Sequence, residues 1–255
     1  MLQDLKNNRF LFEELVRRDF VKKYKRTALG MAWSVLSPLA MLLVMRLVFT
    51  QFFGRTVAHY TTYLFCGNLL FTFFNDSTGQ GMSSIMGNAS IFSKVNVPKY
   101  LFLISKNVQV FINFLLTLVV FFVFCAIDKI HFSPRFVLLL YPIFMMLVFN
   151  LGVGLILASL YVFFRDMSYL WAIFTRLLMY MSAIFYSVES YPEELQILFM
   201  CNPVYVFIKY FRVVVIDEMI PTPQHHLLIF MYSFLAFMIG GWVYTKYNKR
   251  FLYYI

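Results

Sequence analysis

Charge is scarce in this sequence. Asp, Glu, Lys and Arg make up 13% of its 255 residues, about half the ~25% usual in a soluble domain. Acids are scarcer than bases, 12 against 22, so the formal net charge is +10. Hydrophobic residues reach 61% and leave too little polar surface to cover a water-soluble globule of this size. A soluble enzyme, a secreted scaffold and a disordered tail are excluded. The three cysteines, Cys66, Cys125 and Cys201, lie far apart in or beside apolar blocks. With no CxxC pair and no Cys/His cluster, neither a disulfide framework nor a metal site is indicated, and buried apolar cysteine is the expectation. No glycine precedes a lysine, so the phosphate-cradling G-x-x-x-x-G-K-[ST] loop is missing, as are H-E-x-x-H and G-x-S-x-G. His59, His131, His225 and His226 fall in expected outer loops or at a span end and read as solvated. Asp76 is the one clear carboxylate inside an apolar block. A proton- or sodium-coupled carrier usually keeps more intramembrane acids than this, and no internal repeat is evident.

What is abundant is long apolar sequence. Blocks near the ~20 residues needed to cross a bilayer occur at about 33–53, 60–85, 107–127, 136–162, 168–187 and 226–245. The second is the weakest, because N-D-S-T-G-Q-G at 75–81 interrupts it. Residues 1–32 are too polar to span and carry no signal-peptide cleavage pattern. The expected fold is an all-α membrane protein with six transmembrane helices in one domain, 33–245, followed by a short tail, 246–255.

The cations set its orientation. With the N-terminus cytoplasmic, that side holds fifteen: Lys6, Arg9, Arg17, Arg18, Lys22, Lys23, Lys25, Arg26, Lys94, Lys99, Lys106, Arg165, Lys246, Lys249 and Arg250. The other side holds five: Arg55, Lys129, Arg135, Lys209 and Arg212. The positive-inside rule then places both termini in the cytoplasm, and the excess positive charge is a topology signal rather than a nucleic-acid footprint. Phe12, Val16, Phe20 and Tyr24 recur every four residues beside Leu11 and Leu15, with Arg17, Arg18, Lys22, Lys25 and Arg26 around them. This reads as a basic amphipathic helix lying in the headgroup layer. Between the fifth and sixth blocks, residues 188–225 contain two apolar pieces too short to span, punctuated by Pro192 and Pro203. They read as a re-entrant helical hairpin facing a pathway, since irregular backbone at membrane depth is tolerated only against protein or water. Gly79, Ser83 and Gly87, and Asn150, Gly154 and Ala158, have the spacing of close-packing helix faces.

The segment L-V-R-R-D-F-V-K-K-Y-K-R-T-A-L-G-M-A-W-S-V-L-S-P-L at 15–39 resembles the opening of type-2 ABC exporter permeases that move O-antigen, capsule and teichoic-acid polymers. The similarity continues in N-A-S-I-F-S-K-V-N-V-P-K-Y-L at 88–101, F-R-D-M at 164–167, C-N-P-V at 201–204 and Phe211-Arg212. The tail Y-N-K-R-F-L-Y-Y-I departs from the pattern, lacking an acidic residue often found there. The resemblance implies a homodimeric permease carrying a lipid-linked polysaccharide across the plasma membrane. Two separate ATPase subunits would bind ATP and Mg, leaving this chain without cofactor, metal or catalytic residue of its own and without a nucleic-acid partner. It also implies an ATPase-coupling loop at 86–100, with Phe92, Lys94, Pro98 and Lys99, and an exit gate with Pro192, Asn202 and Pro203.

Several residues are then candidates for a path. Aromatic faces can hold sugar rings weakly at many points. Trp33, Phe49, Phe52, Phe53, Tyr169, Trp171, Phe174 and Tyr180 lie on spans one and five, where the resemblance places the channel. Arg46 and Arg176 sit inside spans, where an arginine costs ~2.5–3.5 kcal/mol on insertion scales and should face water or a partner. They would contact a pyrophosphate anchor or sugar hydroxyls, or pair with Asp76 or backbone carbonyls. Asp166 is expected to cap the fifth helix, with Arg165 a secondary ATPase contact. Alternatives at this level are a drug- or lipid-exporting permease of the same superfamily, a multi-pass enzyme of lipid-linked sugar metabolism, and a membrane scaffold.

Overall fold

In the computed structural model, described for residues 9–24, 29–53, 59–92, 97–189 and 191–254, the chain is helical and no strand occurs among those residues. Helix α1 is Arg9–Tyr24, and a short 3-10 turn leads into α2, Trp33–Phe53. Then come α3, Tyr60–Ser83, and the single turn α4, Ala89–Phe92. Next are α5, Tyr100–Ile127, α6, Leu140–Phe163, and α7, Met167–Met181. The short helices α8, Glu193–Met200, and α9, Pro203–Val215, precede α10, Pro223–Tyr247. Among the described residues three segments are long and apolar enough to cross a membrane: Tyr100–Ile127, Pro134–Phe163 and Pro223–Phe251. The α8–α9 pair, bent by 108°, would make a fourth if counted as one broken span.

Helix α3 is the centre of the bundle. Thr62 through Phe71 are buried without a break, the pattern of a helix covered on all sides. It packs on α2, α5, α6, α7 and α9. The N-D-S-T-G-Q-G stretch does not interrupt it. Thr78 Oγ1 donates to the Phe74 carbonyl (2.8 Å) and the Ser77 hydroxyl donates to Asn107 of α5. Its polar groups therefore find partners without unwinding the backbone.

The third block begins earlier than hydropathy indicates, at Tyr100. Lys106 does not end the apolar helix because Asp19 of α1 meets its ammonium at 3.0 Å. The fifth is shorter than expected and stops at Met181, where Ala183 turns left-handed with φ 49°.

The broadest helix contact joins α6 and α10. There Gly152 and Gly240 meet backbone to backbone, and a Cβ on either would overlap the other helix. Gly81 and Gly154 bring α3 and α6 together in the same way, with 3.4 Å from a Cβ built on Gly81 to the Gly154 Cα. Of the small-residue lines expected from sequence, Gly154 and Ala158 are buried, whereas Gly79 and Gly87 have no neighbour within 4 Å of a built Cβ. Close approach falls instead on Gly81, Gly152 and Gly240.

Candidate functional site

One face of α3 escapes the apolar core. Asn68, Thr72, Asn75, Asp76, Gly79 and Gln80 follow the three-to-four-residue repeat that puts them on a common stripe. Two cavities open onto it. The first, about 520 Å³, lies between α2, α3 and α5 and is lined by Ser34, Ser37, Asn68, Thr72, Asp76, Asn113 and Thr117, with Trp33, Phe73 and Phe114 among its apolar walls. The second, about 500 Å³, lies between α3 and α7, where Asn75, Asp76, Gly79 and Gln80 face Ser168, Trp171, Thr175 and Arg176. Asp76 lines both. The result is a trough furnished with hydroxyls, amides, one carboxylate, one guanidinium and indole faces. Such a surface exchanges hydrogen bonds with a polyhydroxylated chain at many points, and water competes at each of them.

The structure gathers some of the expected path residues there and leaves others out. Trp33, 48% exposed, is at the first cavity, and Trp171 and Arg176 are at the second. The Trp171 ring stacks on Phe174 at 5.2 Å, and its indole N–H is buried without a partner among the described residues. Phe174, Tyr169 and Tyr180 are exposed along α7. Phe49 lines neither cavity; it stacks on Phe185 at 4.5 Å and braces the turn after α7. Arg46 is exposed on α2 and also lines neither. Arg176, by contrast, shares a cavity with Asp76. The side chains of Phe52, Phe53 and Phe92, and all of Lys94, lie outside the described residues.

At one end of the trough the chain leaves α7 in a non-helical turn, 182–188, whose Ala183, Ile184, Phe185 and Val188 are buried. Backbone carbonyls buried there need donors, and side chains supply them. Arg212 of α9 donates to Ala183 (2.9 Å) and Ile184 (3.1 Å). The Tyr60 hydroxyl donates to Phe185 (2.8 Å) and that of Tyr63 to Tyr186 (2.7 Å). Arg212 is buried, with its guanidinium 3.4 Å from the centre of the Tyr63 ring. The sequence counts it only among the cations of the outer side; its partners are carbonyls and a π face.

Asn202 forms the joint between α8 and α9. Its Oδ1 accepts from the Val204 and Tyr205 amides (3.0 and 3.4 Å), the N-cap geometry, with Pro203 in the first-turn position that has no N–H to lose. Its Nδ2 donates to the Met181 carbonyl (3.1 Å) and to the Ser182 hydroxyl (3.0 Å), tying the bend to the end of α7. Pro192 precedes α8. Past the other end of α9, burial and then the neighbouring Glu189 push the Asp217 carboxyl up from the usual carboxylate range. The histidines also differ from expectation. His225 is buried, and the His226 Nε2 lies 2.9 Å from the Tyr210 hydroxyl. His59 lies 3.7 Å from Asp128, while His131 is exposed.

At the other end, α1 lies against α5 rather than standing alone. Among its described side chains Leu15 and Asp19 are the buried ones, whereas Phe10, 82% exposed, and Val21 face outward. Asp19 is held between Arg18 (2.8 Å) and Lys106 (3.0 Å). Arg18 also donates to Asn88 (2.9 Å), and Gln109 Nε2 donates to the Asp19 carbonyl (3.1 Å). The Arg18-Asp19-Phe20 signature thus pins α1 to the root of α5 and to the 86–100 loop. Asp19→Ala is expected to strip Lys106 of its counterion and to loosen α1 by about 1–3 kcal/mol. Trypsin should then cut faster at residues 22–26, with Glu13→Ala, which breaks only an exposed pair with Arg9, as the unchanged control.

Lys99, in the same loop after Pro98, is half-buried, which lowers its pKa from the ordinary lysine value. Its ammonium donates to the Asn248 carbonyl (3.1 Å) and sits over Phe251. Asp166 occupies the N-cap position of α7, but only its backbone carbonyl accepts, from the Tyr169 and Leu170 amides. Its carboxylate makes no cap hydrogen bond, and Arg165 beside it is exposed. The expected carboxylate cap is therefore not formed.

Sequence reading missed the stripe on α3, the enclosure of Arg212 and the glycine contacts. The stripe had a signal, since the polar residues that made block two look broken repeat with helical spacing. Arg212 had none, because a lone arginine beside Phe211 reads the same in a loop as in a core.

The profile of the ABC-2 type transporter family matches residues 11–216. The chain is 26% identical over 247 residues to the O-antigen export system permease protein RfbA of Klebsiella pneumoniae, covering 95% of each chain. It is 24% identical to the protein of that name from Myxococcus xanthus, over 88% of this chain and 87% of the other. It is 21% identical to the capsule polysaccharide export inner-membrane protein CtrC of Neisseria meningitidis serogroup A, over 92% of this chain and 90% of the relative. With the family match running from α1 through α9, and apolar helices long enough to cross a membrane, this multi-pass membrane protein belongs to the ABC-2 type transporter family.

Proposed function

We infer that this permease subunit exports a lipid-linked polysaccharide of the O-antigen or capsule kind across the inner membrane. It would work as two copies above two ATPase subunits that bind ATP and Mg. The observation that carries the reading is the trough around Asp76: a polar stripe inside an otherwise apolar bundle, flanked by Trp33 and Trp171. The helices α2, α3, α5, α6, α7 and α10 serve as the six spans, with both termini cytoplasmic and residues 33–245 as one domain. At 15 residues, α7 reaches about 22 Å of a ~30 Å core. The 182–188 turn and the α8–α9 hairpin complete its outer end, with Asn202 as the joint and Pro192 and Pro203 bounding the two arms of a gate.

Both α2 and α7 expose apolar side chains beside the trough, including Leu47 and Leu177, so a second copy facing these helices closes the path. The chain itself does no covalent chemistry. Closure of the ATPases reaches it through α1 and the 86–100 loop, with Phe92, Lys94, Pro98 and Lys99, and through Arg165 and Asp166. Nucleotide binding shifts the balance between closed and open arrangements, and the polymer advances along weak contacts with Trp33, Trp171, Phe174 and Arg176.

Reconstitution tests this directly. Proteoliposomes containing the permease and its ATPase should move lipid-linked glycan to the far leaflet only with hydrolysable ATP. Turnover by the permease alone would overturn the reading.

A further inference from the structure

A cavity larger than either of those at the trough lies away from it. It occupies about 830 Å³ between the start of α5, the second half of α6 and the end of α10, and is lined by Lys99, Leu103, Leu155, Phe237, Trp242 and Asn248 among others. Its depth follows from helix geometry. Leu151, the deepest α6 residue in it, is 12 residues before the helix end at Phe163, or about 18 Å at 1.5 Å per residue. That is close to half of a ~30 Å hydrocarbon core, the thickness of a single leaflet.

One cation, Lys99, lines the groove, and a second, Lys246, sits over its lining residue Trp242. Residues 77–127 and 219–255 contain no Asp or Glu, yet carry Lys94, Lys99, Lys106, Lys246, Lys249 and Arg250. Lys106 is neutralised by Asp19. Among the described residues neither Lys99 nor Lys246 has a carboxylate partner. Lys99 uses one of its three donors on the Asn248 carbonyl. Lys246 lies 4.7 Å over the Trp242 ring, an amphipathic ring of the kind that sits at headgroup level. A one-leaflet apolar slot with a cationic rim matches the shape and charge of one molecule type, an anionic glycerophospholipid. A zwitterionic lipid would bring an ammonium to the same rim, and a soluble anion would leave the slot empty.

We propose that this groove holds one anionic glycerophospholipid, its phosphate between Lys99 and Lys246 and one acyl chain along Leu103, Leu155 and Phe237. The site rests on the reading above only in that the Lys99 end must lie at the membrane surface; it requires neither glycan nor ATP. The test is native mass spectrometry of the full permease, delipidated and returned to nanodiscs or micelles holding phosphatidylglycerol or phosphatidylcholine. Wild type should retain one phosphatidylglycerol per copy in preference to phosphatidylcholine. The double variant Lys99→Gln/Lys246→Gln should weaken that binding by roughly 30-fold, the effect of losing two cations at an anionic headgroup. Leu155→Trp, which fills the slot and leaves the charges, should remove it as well, while Lys249→Gln should leave the Lys99 and Lys246 site intact. Equal retention of the two lipids by wild type, or phosphatidylglycerol binding unchanged in both the double variant and Leu155→Trp, would overturn the proposal. So would occupation of the groove by the polyprenyl-type anchor of a glycan in place of phospholipid. Failure of wild-type permease with its ATPase to move glycan, with phosphatidylglycerol still bound, would count against the transport reading and leave this site standing.

Discussion

A leucine in place of Gly152 is expected to leave almost no folded permease in the membrane. Gly152 and Gly240 touch through their backbones at the crossing of α6 and α10, and a Cβ at Gly152 would fall on the Ala236–Phe237 peptide. That obstacle is main chain, so no rotamer change relieves it, and the helices must separate along their length. Overpacking of a flexible core site costs about 1–3 kcal/mol; a rigid backbone clash at the broadest helix contact lies at or beyond the upper end. Gly240→Leu should fail in the same way. Gly241, next in sequence, has nothing within 4 Å of a built Cβ, and Gly241→Leu should accumulate normally. Yield after detergent extraction, with thermal unfolding of whatever survives, separates the three variants.

Loss of Arg212 is the second large effect. Its guanidinium serves the carbonyls of Ala183 and Ile184, approaches that of Tyr63 at 3.4 Å, and covers the Tyr63 ring. Arg212→Leu fills much of the space but leaves those carbonyls buried with fewer donors, at about 1–3 kcal/mol for each one orphaned. Arg212→Lys keeps the charge and loses the planar fork that reaches several acceptors at once. Both variants should lower the unfolding temperature, leucine more than lysine. Both should also free the turn at 182–188, read as faster amide hydrogen exchange there while the α6–α10 pair keeps its protection. Uniform loss of protection across the bundle would mean that Arg212 supports the whole fold rather than this joint.

The helices were legible because hydropathy has a long range in the sequence. Twenty apolar residues cannot hide, and α2, α6 and α10 fall within a few residues of their expected limits. Ends set by single partners were not legible. Lys106 looked like the edge of a span because nothing local reveals that Asp19, 87 residues earlier, neutralises it. The end of α7 at Met181 depends on donors from Tyr60, Tyr63 and Arg212, which are remote in sequence. The path divided in the same way. Trp33, Trp171 and Arg176, picked by residue type, line the two cavities, whereas Phe49 and Arg46 have the same types on faces that composition does not distinguish. Asp76 was visible as an oddity, and its neighbours were discounted because polarity was taken to break the helix rather than to decorate one side of it.

A photoreactive residue placed along α3 tests the polar path most directly. With glycan arrested during export by the assembled permease and ATPase, probes at Thr72 and Gln80, on the stripe, should crosslink to the polymer. A probe at Val119, 63% exposed on α5 and outside both cavities, should crosslink to lipid alone. Polymer adducts at Val119 with none at Thr72 or Gln80 would place the route elsewhere and contradict a passage organised by Asp76.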